Sequence, residues 1–122
     1  MMNRKMNHYL DGFVFVYRPN PDNRSNFGAK KNIKTLSDME LLYKLAYQQT
    51  SKRLQDIEFA ESSGRDLTIK IKTRLVPGIN NSDKVVLNGI LYDIINVDED
   101  RFNRELYLYL EECGELEVGA VE

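Results

Sequence analysis

Residues 84–97 read KVVLNGILYDIINV. Two apolar, β-branched runs flank Asn88-Gly89. A two-residue type I′ turn needs positive φ at both central positions, and Asn followed by Gly adopts that backbone with the least strain. The spacing therefore predicts an antiparallel hairpin, with Lys84–Leu87 as one arm and Ile90–Val97 as the other. A lone hairpin is marginal in water, so the flanking sequence has to supply more sheet. Downstream, the loop DEDRFNR leads into Glu105–Glu111, where Leu106, Leu108 and Leu110 alternate with Tyr107 and Tyr109. Upstream, Asp66–Val76 alternates as cleanly: Leu67, Ile69 and Ile71 share one face, and Thr68, Lys70, Lys72 and Arg74 the other. Pro77-Gly78 marks a turn between that strand and the hairpin.

Towards the N-terminus, Leu10–Tyr17 reads LDGFVFVY and is a strand by its aromatic and β-branched content. Phe13, Phe15 and Tyr17 lie on one side of it, Val14 and Val16 on the other. Both faces are apolar, so the strand is covered on both sides or awaits a partner. A long loop rich in Pro, Asn and Gly follows (18–39). Next comes a second strand over residues 41–48, for which a helix is the rival reading. Thr50 or Ser51 can cap a short helix within KRLQDIEFAES, carrying a thin stripe of Leu54, Ile57 and Glu61, and Gly64 can end it. So short a helix gains little from its own hydrogen bonds and is expected to order only against a contact. The tally is a mainly β protein: a small antiparallel β-barrel of about six strands, with one short helix in a long loop (49–65). Closure removes the unpaired edges that so small a sheet would expose.

The chain of 122 residues has room for one domain. We expect a flexible N-terminus (1–9), the barrel (10–111) and an acidic tail (112–122). The formal charge of −2 is unevenly spread. Residues 98–122 hold nine acids against two arginines, and the rest of the chain carries a net +5. The tail, with Glu112, Glu115 and Glu117, reads either as a solvated segment or as one that docks on a basic neighbour.

One Cys (Cys113) and one His (His8) exclude a disulfide framework and a Cys/His zinc cluster. Acidic neighbours disfavour a Cys113 thiolate. There is no P-loop and no G-x-G-x-x-G turn. Asp98, Glu99 and Asp100 lack the remaining ligands and the glycine of a calcium loop. No stretch approaches the ~20 apolar residues of a membrane-spanning helix, and no signal peptide is read at the start. No nucleophile, base or cofactor pattern stands out, so neither an enzyme nor a cofactor is expected. Lys70, Lys72 and Arg74 form a basic row suited to phosphates, or simply the solvated side of a half-buried sheet. Tyr107 and Tyr109, opposite the Leu face, serve either an interface or a second covered side of the barrel.

The order TRLVPGI, KVVLNGILYDIINVDED, RELYLYLEE resembles the C-terminal half of tailed-bacteriophage head closure proteins, also called head–tail joining or connector proteins. The matching features are Arg74, Pro77-Gly78-Ile79, Asn88-Gly89, Tyr92-Asp93-Ile94, Asp98–Asp100 and Leu106–Leu110. They cover residues 66–112 well, and residues 10–65 in outline. The Trp that many relatives carry in the second strand is absent, with Tyr43 or Tyr47 in its place.

The resemblance implies a structural virion protein, made in the bacterial cytoplasm, whose copies form a ring under the portal or its adaptor. The ring closes the DNA-filled head, touches the packaged DNA end and offers the docking site for a tail terminator or tail-end protein. It implies that Ser51, Lys52, Arg53, Gln55, Asp56 and Glu58 belong to a loop facing the channel. Tyr107, Tyr109, Lys70, Lys72 and Arg74 would then meet a neighbouring subunit or partner. The isolated protein is expected to be a monomer. The alternatives are another connector or tail-completion ring protein (adaptor or tail terminator), and a small-barrel nucleic-acid-binding protein.

Overall fold

A computed structural model describes residues 9–20 and 39–115. Six strands and one helix follow in the order β1 (Gly12–Pro19), β2 (Met39–Thr50), α1 (Leu54–Ser62), β3 (Ile69–Arg74), β4 (Lys84–Leu87), β5 (Ile90–Asp100) and β6 (Glu105–Glu115). The strands close into an antiparallel barrel in the order β1-β2-β3-β6-β5-β4, with β4 returning to β1 through Phe15↔Val86, Val16↔Val85 and Tyr17↔Lys84. The mainly β, closed six-stranded fold with one short helix is therefore the one the alternation pointed to. The strand reading of residues 41–48 holds over its helical rival.

The β4–β5 hairpin turns on Asn88 and Gly89, with φ of 54° and 79°. Both values lie in the left-handed region that a type I′ turn needs. Closing six strands demands curvature, and an extra residue can supply it at each of three register shifts: Leu42 in β2, opposite Val16–Tyr17, Cys113 in β6, opposite Leu91–Tyr92, and Ile95 in β5. The interior is filled by alternate residues of every strand. Val14, Val16, Leu45, Ile71, Val85, Ile94, Leu106, Leu108 and Leu110 are almost wholly excluded from solvent. At one end of the barrel, the Arg18 guanidinium forks onto buried Asp83 at 2.9 and 3.0 Å and donates to the Gly78 carbonyl at 2.7 Å. That clamp, with Tyr43 Oη donating to the Pro77 carbonyl at 2.7 Å, fixes the loop between β3 and β4.

Three boundaries differ from the sequence reading. The last strand does not stop at Glu111 but runs to Glu115, pairing Glu112 with Tyr92 and Gly114 with Leu91. Residues 112–115 are thus barrel wall, and Glu112 and Glu115 stand at the end of β6, not in a tail. Leu67 does not share the inward face of Ile71. It precedes β3 and packs outside the barrel with Ala60, Ile95 and Tyr109. The helix begins later than Thr50 or Ser51 allow: Arg53 is its N-cap, and the Asp56 carboxylate at N3 accepts the Arg53 backbone N–H at 3.0 Å. Gly64, at φ 75°, ends it, and its N–H donates to the Glu61 carbonyl at 2.9 Å. The expected N-terminal segment 1–8, most of the first long loop (21–38) and the tail from 116 lie outside the described residues.

Candidate functional site

The helix α1 crosses the outer face formed by β3, β6 and β5. Apolar contact comes from Ala60 and Ile57 against Leu67, Ile95, Tyr107 and Tyr109. Ala60 is almost wholly buried in that contact, and the rest of the anchorage is ionic. Asp56 is buried on the underside of α1. Its carboxylate meets the Lys70 Nζ at 2.9 Å, the Arg53 Nη2 at 2.8 Å and the Arg53 Nε at 3.1 Å. The paired Arg53, helped by Lys70 and the backbone N–H, outweighs burial and holds the Asp56 carboxyl well below the usual carboxylate range. The same contact pushes the Arg53 guanidinium up. Lys70 lies over the Tyr107 and Tyr109 rings, 5.3 and 5.1 Å from their centroids, so its charge is held by a carboxylate on one side and two aromatic faces on the other. An open cleft of about 320 Å³ remains beside this cluster, lined by Arg53, Lys70, Asp98, Tyr107 and Tyr109.

This placement corrects the reading of Lys70 and Tyr109 as partner surface. Both are covered, at 6% exposure each, because α1 lies on the polar side of β3 and β6. Period-two alternation sorts residues into faces without saying what lies over each face. The basic row is broken up accordingly. Lys70 is neutralised by Asp56, and Lys72 pairs with Glu105 at 3.5 Å. Arg74 alone of the three is exposed. Tyr107 is half-buried. Glu105 also accepts the Tyr9 hydroxyl at 2.9 Å. Burial, and then that bonded carboxylate, push the Tyr9 phenol up to about 12.

Of the expected channel residues, Ser51, Lys52, Arg53, Gln55 and Glu58 are exposed. Asp56 is not: it points into the barrel wall at 5% exposure. Lys52 is tied down as well, its Nζ donating to the Leu67 and Thr68 carbonyls at 3.4 and 3.2 Å. The contact that α1 needs is thus supplied by the chain's own barrel. Glu112 is exposed, and its backbone N–H donates to Thr68 Oγ1 at 2.9 Å. Glu117 lies outside the described residues. Cys113 is exposed and free, with its thiol pushed up to about 11 by partial burial and by Asp93.

A second feature lies on the far side of the barrel, on the aromatic face of the first strand, where the sequence reading expected a cover or a partner without naming Lys44. Lys44 of β2 lies over the Phe13 ring, 4.6 Å from its centroid, and beside Phe15 at 5.9 Å. Phe13 is 54% exposed and Leu41 51%. Phe15 and Tyr17 pack partly against Met39, Val86 and Leu91. The clue was the doubly apolar first strand: Val14 and Val16 fill the core, which leaves the aromatics outside.

Among the described residues, no group of three His, Cys, Asp or Glu side chains is placed to hold a metal ion. No described helix is long and apolar enough to cross a membrane. No protein-family model matches the sequence, and no curated protein matches it significantly.

Proposed function

We propose that this chain is a structural protein of a tailed-phage head–tail connector, whose copies ring the exit of the DNA-filled head, close it, and present the docking site for the tail. The observation that carries the reading is the join between sequence and architecture. The PGI turn, the Asn-Gly hairpin, the acidic loop and the Leu-alternating last strand occur in the order of the head closure family. In the fold they are consecutive parts of one closed barrel, whose β2–β3 connection bears a short helix.

A ring built by head-to-tail contacts needs two unlike patches on each subunit that are complementary to each other. The α1 side and the Phe13–Lys44 side are two such candidates. In this reading the partners are further copies of the chain, the portal or its adaptor, a tail terminator or tail-end protein, and the DNA end. The role is non-catalytic, and the place of action is the virion. The nucleic-acid-binding alternative is weakened by the burial of Lys70 and the pairing of Lys72. An adaptor or tail terminator remains the nearest rival within the same class.

The test is deletion of the gene from its phage or prophage, followed by electron microscopy of the lysate. The expected result is free, complete tails beside heads that have leaked their DNA. Normally joined particles would contradict the proposal.

A further inference from the structure

The helix α1 is turned the wrong way for an ordinary surface helix. Its buried side carries the charged Asp56 and the small Ala60, while Leu54 and Phe59 are 68% and 51% exposed. Between and beside them stand Glu58 and Glu61, both exposed and without a basic partner among the described residues. On β1 and β2 the chemistry is complementary. Phe13 and Leu41 are exposed, and Lys44 has aromatic rings beneath it but no carboxylate among the described residues. The strand order fixes the relation between the two patches. In the closed series β1-β2-β3-β6-β5-β4, β1 and β6 are three strands apart in either direction. The α1 face lies over β6 and its neighbours, so the two patches occupy opposite sides of the barrel and cannot meet within one chain.

We infer that the outer face of α1 (Leu54, Glu58, Phe59 and Glu61) docks on the Phe13–Lys44 face of a second copy of this chain, giving a head-to-tail contact. Apolar groups meet apolar groups, and the two glutamates approach a lysine that has no carboxylate partner among the described residues. A contact between unlike patches on opposite sides of a subunit propagates, and it closes into a ring when the rotation per subunit permits. The inference rests on the ring reading and alters it in one respect: Glu58 goes into the seam between subunits instead of the opening.

The test uses full-length protein with Cys113→Ser, which removes the native exposed thiol. One preparation carries Lys44→Cys and another Glu58→Cys. The two are mixed at millimolar concentration and treated with a short bis-maleimide. The heterotypic 44–58 product is expected to exceed both homotypic products, and also the product of a control pair made with Arg101→Cys at the β5–β6 tip. Adding Phe59→Ser to the Glu58→Cys preparation should lower that yield about tenfold, as for the loss of a central aromatic anchor. In sedimentation equilibrium, Lys44→Glu should weaken self-association roughly two- to fivefold, and Lys44→Glu combined with Glu58→Lys should restore it.

Dominant homotypic products, a 44–101 yield equal to the 44–58 yield, or no 44–58 product even at millimolar concentration would each overturn the seam. Failure here, alongside unjoined heads and tails in the deletion lysate, removes the seam and leaves the connector reading standing. Normal particles in that lysate remove the connector reading instead.

Discussion

The two outer faces of the barrel solve opposite problems. The β3-β6-β5 face carries polar and aromatic side chains under its own helix, and its lysine is neutralised by a carboxylate that the helix brings. The β4-β1-β2 face carries Phe13, Phe15 and Tyr17, with Phe13 left open beside Lys44, which has no carboxylate partner among the described residues. One face is internally satisfied by charge; the other keeps apolar surface in water. Burying an ion pair adds little net stability but makes loss of either partner costly. Exposing aromatic rings adds nothing to the monomer and suits a face that meets something else. Under the proposed seam, stability of the subunit and association between subunits fall on different sides of the molecule.

That contrast can be broken by mutation. The largest effects belong under α1. Asp56→Ala leaves Lys70 buried without its counter-ion and removes a helix cap, and should cost about 3–5 kcal/mol in urea unfolding. Tyr109→Ala empties the space between helix and sheet and should cost a similar amount, about 3–5 kcal/mol. A loss below about 1 kcal/mol for either would mean that α1 does not rest on this face in solution. Lys70→Met sharpens the point: Asp56 keeps Arg53, so the cost should be smaller, about 1–3 kcal/mol.

Acid provides a further handle. The folded-state pKa of Asp56 is depressed, so its contribution is present above the unfolded carboxylate value and is lost as pH falls through the folded one. Stability should therefore decline below about pH 4, and Asp56→Asn should flatten that decline. At the alkaline end the sign is reversed. The raised Tyr9 pKa means stability is lost as pH rises from about 10, the value of a phenol in the unfolded chain, towards about 12, and Tyr9→Phe should remove that part. The smallest effect belongs to the open face: Phe13→Ser should change monomer stability by no more than about 0.5 kcal/mol, while reducing self-association. A Phe13→Ser variant as unstable as Tyr109→Ala would erase the distinction between the faces.

The sequence made the barrel legible through local chemistry. Asn88-Gly89 specifies its turn by backbone sterics, and Leu106, Leu108 and Leu110 declare the inward face of β6 by alternation alone. Both signals act within a few residues. What covers an outer face is a long-range fact, and here local rules misled. Lys70, placed between Thr68 and Lys72, has the spacing of a solvent-facing residue, and only its distance to Asp56, fourteen positions earlier, reveals otherwise. The end of β6 was hidden for a related reason. Glu112, Cys113 and Gly114 have no apolar alternation, and the register with β5 slips between Leu91 and Tyr92 to accommodate them. Leu67 followed the period of β3 in sequence but precedes the strand in space. The Phe13–Lys44 face was half legible: two apolar faces on one strand called for a cover, without saying whether the chain itself or another copy provides it.

The most direct measurement is reconstitution. Heads and tails from a lysate lacking this gene are mixed with the purified full-length protein, and particles are counted by electron microscopy. The account predicts that heads keep their DNA and join to tails in proportion to added protein, with the Phe59→Ser protein far less active than the unmodified chain. Heads and tails that remain separate at saturating protein would contradict it.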